Sequence, residues 1–139
     1  MKIRLFAAIA AFLAVAAIAV AAVNTPATAA ERAVPFTTEA FKAAQAANEP
    51  ILVDVWASWC PTCKRQGAVL DALLKQGKFS DLVVFQVDYD KQKDIVREFR
   101  APRQSTLIVF KGATETGRAI AITAENEIEA LLESAYPKP

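Results

Sequence analysis

From Ile51 to Ala57 the chain reads Ile-Leu-Val-Asp-Val-Trp-Ala, apolar at every position except Asp54. A continuous run with β-branched residues predicts a strand buried on both faces. Before it, Ala30 to Phe36 reads as an irregular lead-in. Thr37 or Thr38 then caps a helix through Glu39, Phe41 and Ala44, which Asn48-Glu49-Pro50 stops. After the strand, Cys60 to about Gln76 places Val69, Leu70, Leu73 and Leu74 on one helical face and ends at Gly77. Leu82 to Val87 is a second buried strand. Asp90 to Phe99 is a charged helix with Ile95, Val96 and Phe99 turned inward, and Pro102 breaks the chain before a third strand, Thr106 to Lys111. Gly112 to Gly117 is read as a turn into a fourth strand, Arg118 to Ile122. Thr123 is read as the cap of a last helix, with Glu125 and Glu127 in its first turn and Ile128, Leu131 and Leu132 facing inward. Strands alternating with helices, then a closing hairpin and helix, predict an α/β domain: a central mixed β-sheet flanked by helices on both faces.

The N-terminus follows a different pattern. Lys2 and Arg4 precede nineteen uncharged apolar residues, Leu5 to Val23, and Asn24-Thr25-Pro26 leads into Ala27-Thr28-Ala29. A charged start, an apolar stretch and small residues at a cleavage point form a secretory signal, with cleavage expected after Ala29. The same stretch approaches the roughly 20 residues that span a bilayer, so an uncleaved membrane anchor is the alternative. Either way the flanking charges direct the chain outward, to the periplasm or another exported location. Residues 1–29 are thus a targeting segment and residues 30–139 one domain.

Composition narrows the chemistry. Sixteen basic and fifteen acidic side chains give a net charge of +1, which provides no field for nucleic acid. Without Lys2 and Arg4, fourteen basic residues face fifteen acidic ones. The chain has no His, which removes His-based nucleophile activation, His-ligated metal and haem attachment, and leaves two cysteines as the candidate chemistry.

Those cysteines stand three residues apart in Trp59-Cys60-Pro61-Thr62-Cys63-Lys64, directly after a buried strand and at the start of a helix. There the unpaired backbone N–H groups and the positive end of the helix dipole stabilise a thiolate, so Cys60 is expected to have a lowered pKa and to attack. Cys63, one turn on, would resolve the mixed disulfide by closing a Cys60–Cys63 bridge. Pro61 fits the first turn because its missing N–H would be unpaired there. A zinc site would need ligands the chain lacks, and a structural disulfide closing so short a loop would remove little unfolded-state entropy. No metal or cofactor is expected beyond the redox-active pair itself.

The stretch Val53 to Lys64 resembles the active-site strand and motif of the thioredoxin family. Phe99 to Gly112 resembles that family's second active-site loop and following strand. The resemblance covers essentially all of residues 30–139 and implies a thioredoxin fold and thiol–disulfide exchange with protein substrates. It implies that Cys60 attacks, that Cys63 is the buried resolving cysteine and that Asp54 is a buried carboxylate moving the Cys63 proton. Independently, an acid in an apolar strand is costly unless paired or protonated, and a raised pKa suits a proton shuttle. A strand-end acid bonded to solvent is the plainer reading of Asp54. Trp59, Pro61, Thr62, Gln104 and Ser105 complete the expected substrate-binding set, while Trp56 is expected to be packing.

The chain departs from the family pattern at three positions. Ser105 occupies the place of the usual cis-proline, so the Gln104–Ser105 bond is expected to be trans, a non-proline cis bond costing about 3 kcal/mol. Its N–H and hydroxyl could bind substrate backbone, or the hydroxyl could tie up a thiolate. Ala68 replaces a helix proline, and Gln86 replaces the lysine that faces the buried acid, which favours protonated Asp54. The Thr62 hydroxyl is a candidate partner for the Cys60 thiolate. With Ser105 only 42 positions after Cys63, no large helical insertion or dimerisation domain fits, which favours a monomeric reductase over a dithiol oxidase. Its electrons would come from a membrane thiol transporter, by analogy. A binding or assembly module with little turnover is the reading from a different class.

Overall fold

The computed structural model describes residues 33–136; the targeting segment lies outside them. In chain order the elements are β1 (Ala33–Pro35), α1 (Thr38–Ala46), β2 (Pro50–Trp56), α2 (Pro61–Lys75), β3 (Val83–Asp88), α3 (Lys93–Glu98), β4 (Thr106–Lys111), β5 (Thr114–Ile120) and α4 (Glu125–Glu133). The sheet order is β1-β3-β2-β4-β5. β2 lies at its centre, parallel to β3 and antiparallel to β4.

Both faces of β2 are covered, as its unbroken apolar run requires. Ile51, Val53 and Val55 pack with Phe41 of α1, Val96 of α3 and Phe110 of β4. Phe36, Phe41, Phe85, Phe99 and Phe110 stack there, with ring centroids such as Phe41–Phe110 at 5.3 Å in an edge-on arrangement. On the opposite face Leu52 packs with Leu70, Leu73 and Leu74 of α2 and Ile128 and Leu132 of α4. Burying each of these leucines stabilises the fold by about 1.5–3 kcal/mol.

Several boundaries differ from the sequence reading. The lead-in contains a short edge strand, β1, paired parallel with β3. The charged helix is reduced to Lys93–Glu98, because residues 89–91 form a turn held by Asp88, whose Oδ1 accepts from the Asp90 and Lys91 N–H groups. The last helix is capped at Ala124 rather than Thr123, and no side chain completes that cap. The Thr37 cap of α1 is as expected, its hydroxyl accepting from Ala40 N at 3.1 Å.

The hairpin is tighter than predicted: Lys111 pairs with Thr114, leaving a two-residue turn at Gly112 and Ala113. Gly112 sits at φ +54°, and a Cβ there would meet Asn48 Oδ1 at 2.6 Å and the Asn48 and Gln45 backbone at 3.3 Å. We expect Gly112→Ala to destabilise the protein by about 1–2 kcal/mol, measured as the midpoint of urea unfolding; an unchanged midpoint would show that the turn relaxes freely.

Candidate functional site

The site forms where the topology brings two distant loops together. β2 ends in the loop leading to α2, and β4, running antiparallel beside it, begins at the same edge. The Cys60–Cys63 segment and Ser105 meet there.

Cys60 is the N-cap of α2, in an extended conformation, and its sulfur accepts from Cys63 N at 3.1 Å. Pro61 occupies the first helical turn, as expected. Burial pushes the Cys60 thiol up, but hydrogen bonds from the Cys63 thiol, the Ser105 hydroxyl and the Cys63 and Thr62 backbone outweigh it. The net effect holds Cys60 below the ordinary cysteine value. Cys63 moves the other way, raised by burial and by its bond to the Cys60 sulfur. A low-pKa attacker and a protonated resolver is the division that exchange requires.

Exposure reverses one expectation. Cys60, not Cys63, is the residue with less exposed surface: Cys60 is 2% exposed, while Cys63 is half-buried. The N-cap geometry turns Cys60 Sγ inward to the α2 amides, whereas Cys63 borders a cleft of about 210 Å3 also lined by Asp54, Trp56, Lys64 and Gln86. Both cysteines are free thiols.

Asp54 lies on the face of β2 covered by α2, 8% exposed, and faces the same cleft as Cys63. Register pairs it with Gln86 of β3, whose Nε2 is 3.5 Å from Oδ2, and Oδ1 has no hydrogen-bond partner among the described residues. Burial raises its pKa to about 6, the Gln86 amide lowering it only weakly. The reading of a solvated strand-end acid therefore fails. Asp54 is a buried acid whose pKa is pushed up to about 6, and it lines the same cleft as Cys63.

Ser105 is fully buried at φ +62°, and no peptide bond among the described residues is cis. Its hydroxyl lies 3.1 Å from both Cys60 Sγ and Cys63 Sγ. Its N–H donates to Val55 O at 2.8 Å, so it is closed to substrate backbone, contrary to one expectation; the hydroxyl contacts the sulfurs, as the other held. The Thr62 hydroxyl accepts from Arg65 Nη2 at 3.3 Å rather than contacting Cys60, because the helix turns it outward. Trp59 is exposed beside the cysteines, its Nε1 donating to Asp90 Oδ2 at 2.7 Å. Pro61 is exposed and Gln104 half-buried at the rim, and Trp56 lines the cleft wall.

Sequence reasoning missed Gln66. It is 1% exposed on α2, and its Nε2 donates to Ser105 O at 3.3 Å and Ile122 O at 2.9 Å. The signal was present: Gln66 precedes Leu70 and Leu73 at helical spacing and so falls on the buried stripe. Among the described residues there is no cluster of His, Cys, Asp and Glu able to hold a metal, and no helix long and apolar enough to cross a membrane.

The family model for thioredoxin matches residues 32–134. Thioredoxin from Mycobacterium tuberculosis strain H37Rv is 36% identical over 73 residues, which are 52% of this chain and 62% of that protein. The match thus spans less than two thirds of the mycobacterial protein. A Brassica campestris thioredoxin H-type is 34% identical over 91 residues, 66% of this chain and 72% of its own length. The crystal structure of Trxlp from Edwardsiella tarda EIB202 is 42% identical, with a TM-score of 0.69 over 72% of this chain and 97% of that one.

Proposed function

Because the chain belongs to the thioredoxin family and has its fold, we propose that it is an exported thiol–disulfide oxidoreductase that reduces disulfides in protein substrates through Cys60 and Cys63. The observation that carries this reading is the Cys60 sulfur at the α2 N-terminus, bonded to Cys63 N and held below the usual cysteine pKa.

In the reaction the Cys60 thiolate attacks one sulfur of a substrate disulfide. The substrate S–S bond breaks, a Cys60–substrate disulfide forms and the first substrate thiolate leaves. Cys63 loses its proton and attacks Cys60 Sγ, closing the Cys60–Cys63 disulfide and releasing the second thiolate. Two electrons pass from the pair to the substrate, whose two thiolates are then protonated from solvent. In this reading Asp54 accepts the Cys63 proton, which is supported by its lining the same cleft as Cys63. Trp59, Pro61, Thr62 and Gln104 form the rim against which a substrate chain would lie.

The Lys2/Arg4 start and the apolar Leu5–Val23 stretch support export to the periplasm, and analogy with the family supports a membrane thiol transporter as electron source. The compact insertion-free domain supports the reducing direction and a monomer. The second reading is a dithiol oxidase, favoured by the Ser105 hydroxyl on both sulfurs. Equilibrating the pair with glutathione and dithiothreitol, and reading the oxidised fraction by thiol alkylation, decides the direction. We expect a potential nearer about −270 mV than about −120 mV; the latter value would make the protein an oxidant.

A further inference from the structure

The three polar groups of Ser105 are all engaged. Its N–H donates to Val55 O at 2.8 Å, and its carbonyl accepts from Ala121 N at 2.8 Å and from Gln66 Nε2 at 3.3 Å. Its hydroxyl contacts both sulfurs at 3.1 Å. The residue is held in the left-handed region, which a serine adopts only where its surroundings enforce it. Gln66 supplies part of that enforcement from inside α2.

A hydroxyl has one proton to give and lone pairs to receive with. The Cys63 S–H already goes to the Cys60 thiolate, and the hydroxyl gives its own proton to that thiolate as a second donor. That arrangement exists only in the reduced pair. In the Cys60–Cys63 disulfide there is no thiolate to receive the Ser105 proton.

We propose that the Ser105 hydroxyl selectively stabilises the reduced pair, with Gln66 as its positioning residue, so that this chain's dithiol is a stronger acid and a weaker reductant than the same site without the hydroxyl. The inference rests on the redox reading above. Reduction of the disulfide consumes two electrons and one proton, leaving a Cys60 thiolate and a Cys63 thiol. Glutathione thiol supplies the electrons in the test, its two molecules joining as glutathione disulfide.

The test measures two quantities in the full domain: the Cys60 pKa, from thiolate absorbance against pH, and the equilibrium with glutathione. Ser105→Ala removes the hydroxyl. Ser105→Gly removes it while tolerating the positive φ, so a folding defect in one variant leaves the other informative. In both, we expect the Cys60 pKa to rise by about one unit and the equilibrium constant for oxidation by glutathione disulfide to rise about tenfold, a potential about 30 mV lower. Gln66→Met keeps the volume of the side chain and removes the donor; we expect a shift of the same sign and smaller size. Unchanged pKa and potential in folded Ser105→Ala or Ser105→Gly overturn the proposal. A Gln66→Met variant that melts earlier at an unchanged potential overturns the positioning role. A parent protein that never forms the Cys60–Cys63 disulfide in glutathione buffers overturns the redox reading instead.

Discussion

In an insulin-reduction assay, Cys60→Ser is expected to fall to the background rate of dithiothreitol alone, while Cys63→Ser makes one attack per molecule and stalls as a mixed disulfide visible by mass. Two features compete over which sulfur attacks. Access favours Cys63, which borders the cleft, over Cys60 at 2% exposure. Acid strength favours Cys60, which is lowered while Cys63 is raised. At a pH below both pKa values, each unit between them changes the thiolate ratio about tenfold. The loss of intrinsic nucleophilicity with falling pKa recovers only about half of that on a logarithmic scale. Acid strength therefore outweighs access, provided the loop admits substrate to Cys60. Stalled adducts on Cys60→Ser instead of Cys63→Ser would reverse the assignment.

Replacing Asp54 by Asn is expected to stabilise the protein by about 3 kcal/mol at pH 7 and by far less at pH 4. The folded-state pKa is raised from 3.8 to about 6 by burial. Between those values the native state holds a proton that the unfolded chain releases. Stability is thus highest below the unfolded value, falls as pH rises through the window and levels off above about 6. A shift of that size corresponds to about 3 kcal/mol. Urea unfolding across pH 4–8 checks it: the parent curve should fall through that window and the Asp54→Asn curve should stay flat. Parallel curves would mean that Asp54 titrates normally. The same substitution should slow Cys63 attack, measured as slower release of the second substrate thiol.

The central strand, the Thr37 cap and the cysteine pair could be read from the chain because each rests on local chemistry: an apolar run, a hydroxyl before a helix, two thiols one turn apart. The hairpin could not. Gly112 and Gly117 look alike as breakers, but only Gly112 needs a positive φ; Gly117 lies inside β5 because Leu131 Cδ1 comes within 2.9 Å of where a Cβ would be. That approach depends on where α4 lands. β1 was hidden for a similar reason, since Ala33–Pro35 is short, mostly exposed and held by pairing with β3. At the site, Asp54 was legible as the one acid in an apolar strand. Ser105 was legible by its place in the second loop and the burial of Gln66 by its helical spacing, but the Gln66–Ser105 bond spans 39 positions of sequence, which no local pattern encodes.

The borders of the sheet bear on how such a protein meets other chains. β1 has three residues and ends in Pro35, which has no N–H to offer. β5, at the other border, has a register shift opposite Val109/Phe110 and carries an ion pair between Glu115 and Arg118. Short, kinked or charged edges are poor templates for strand addition. Members of the thioredoxin family act on disulfide-containing protein chains, so the sheet's borders lie within reach of foreign backbone. Blunted borders disfavour strand addition from such a chain and leave the cysteine edge of the sheet as the place of contact.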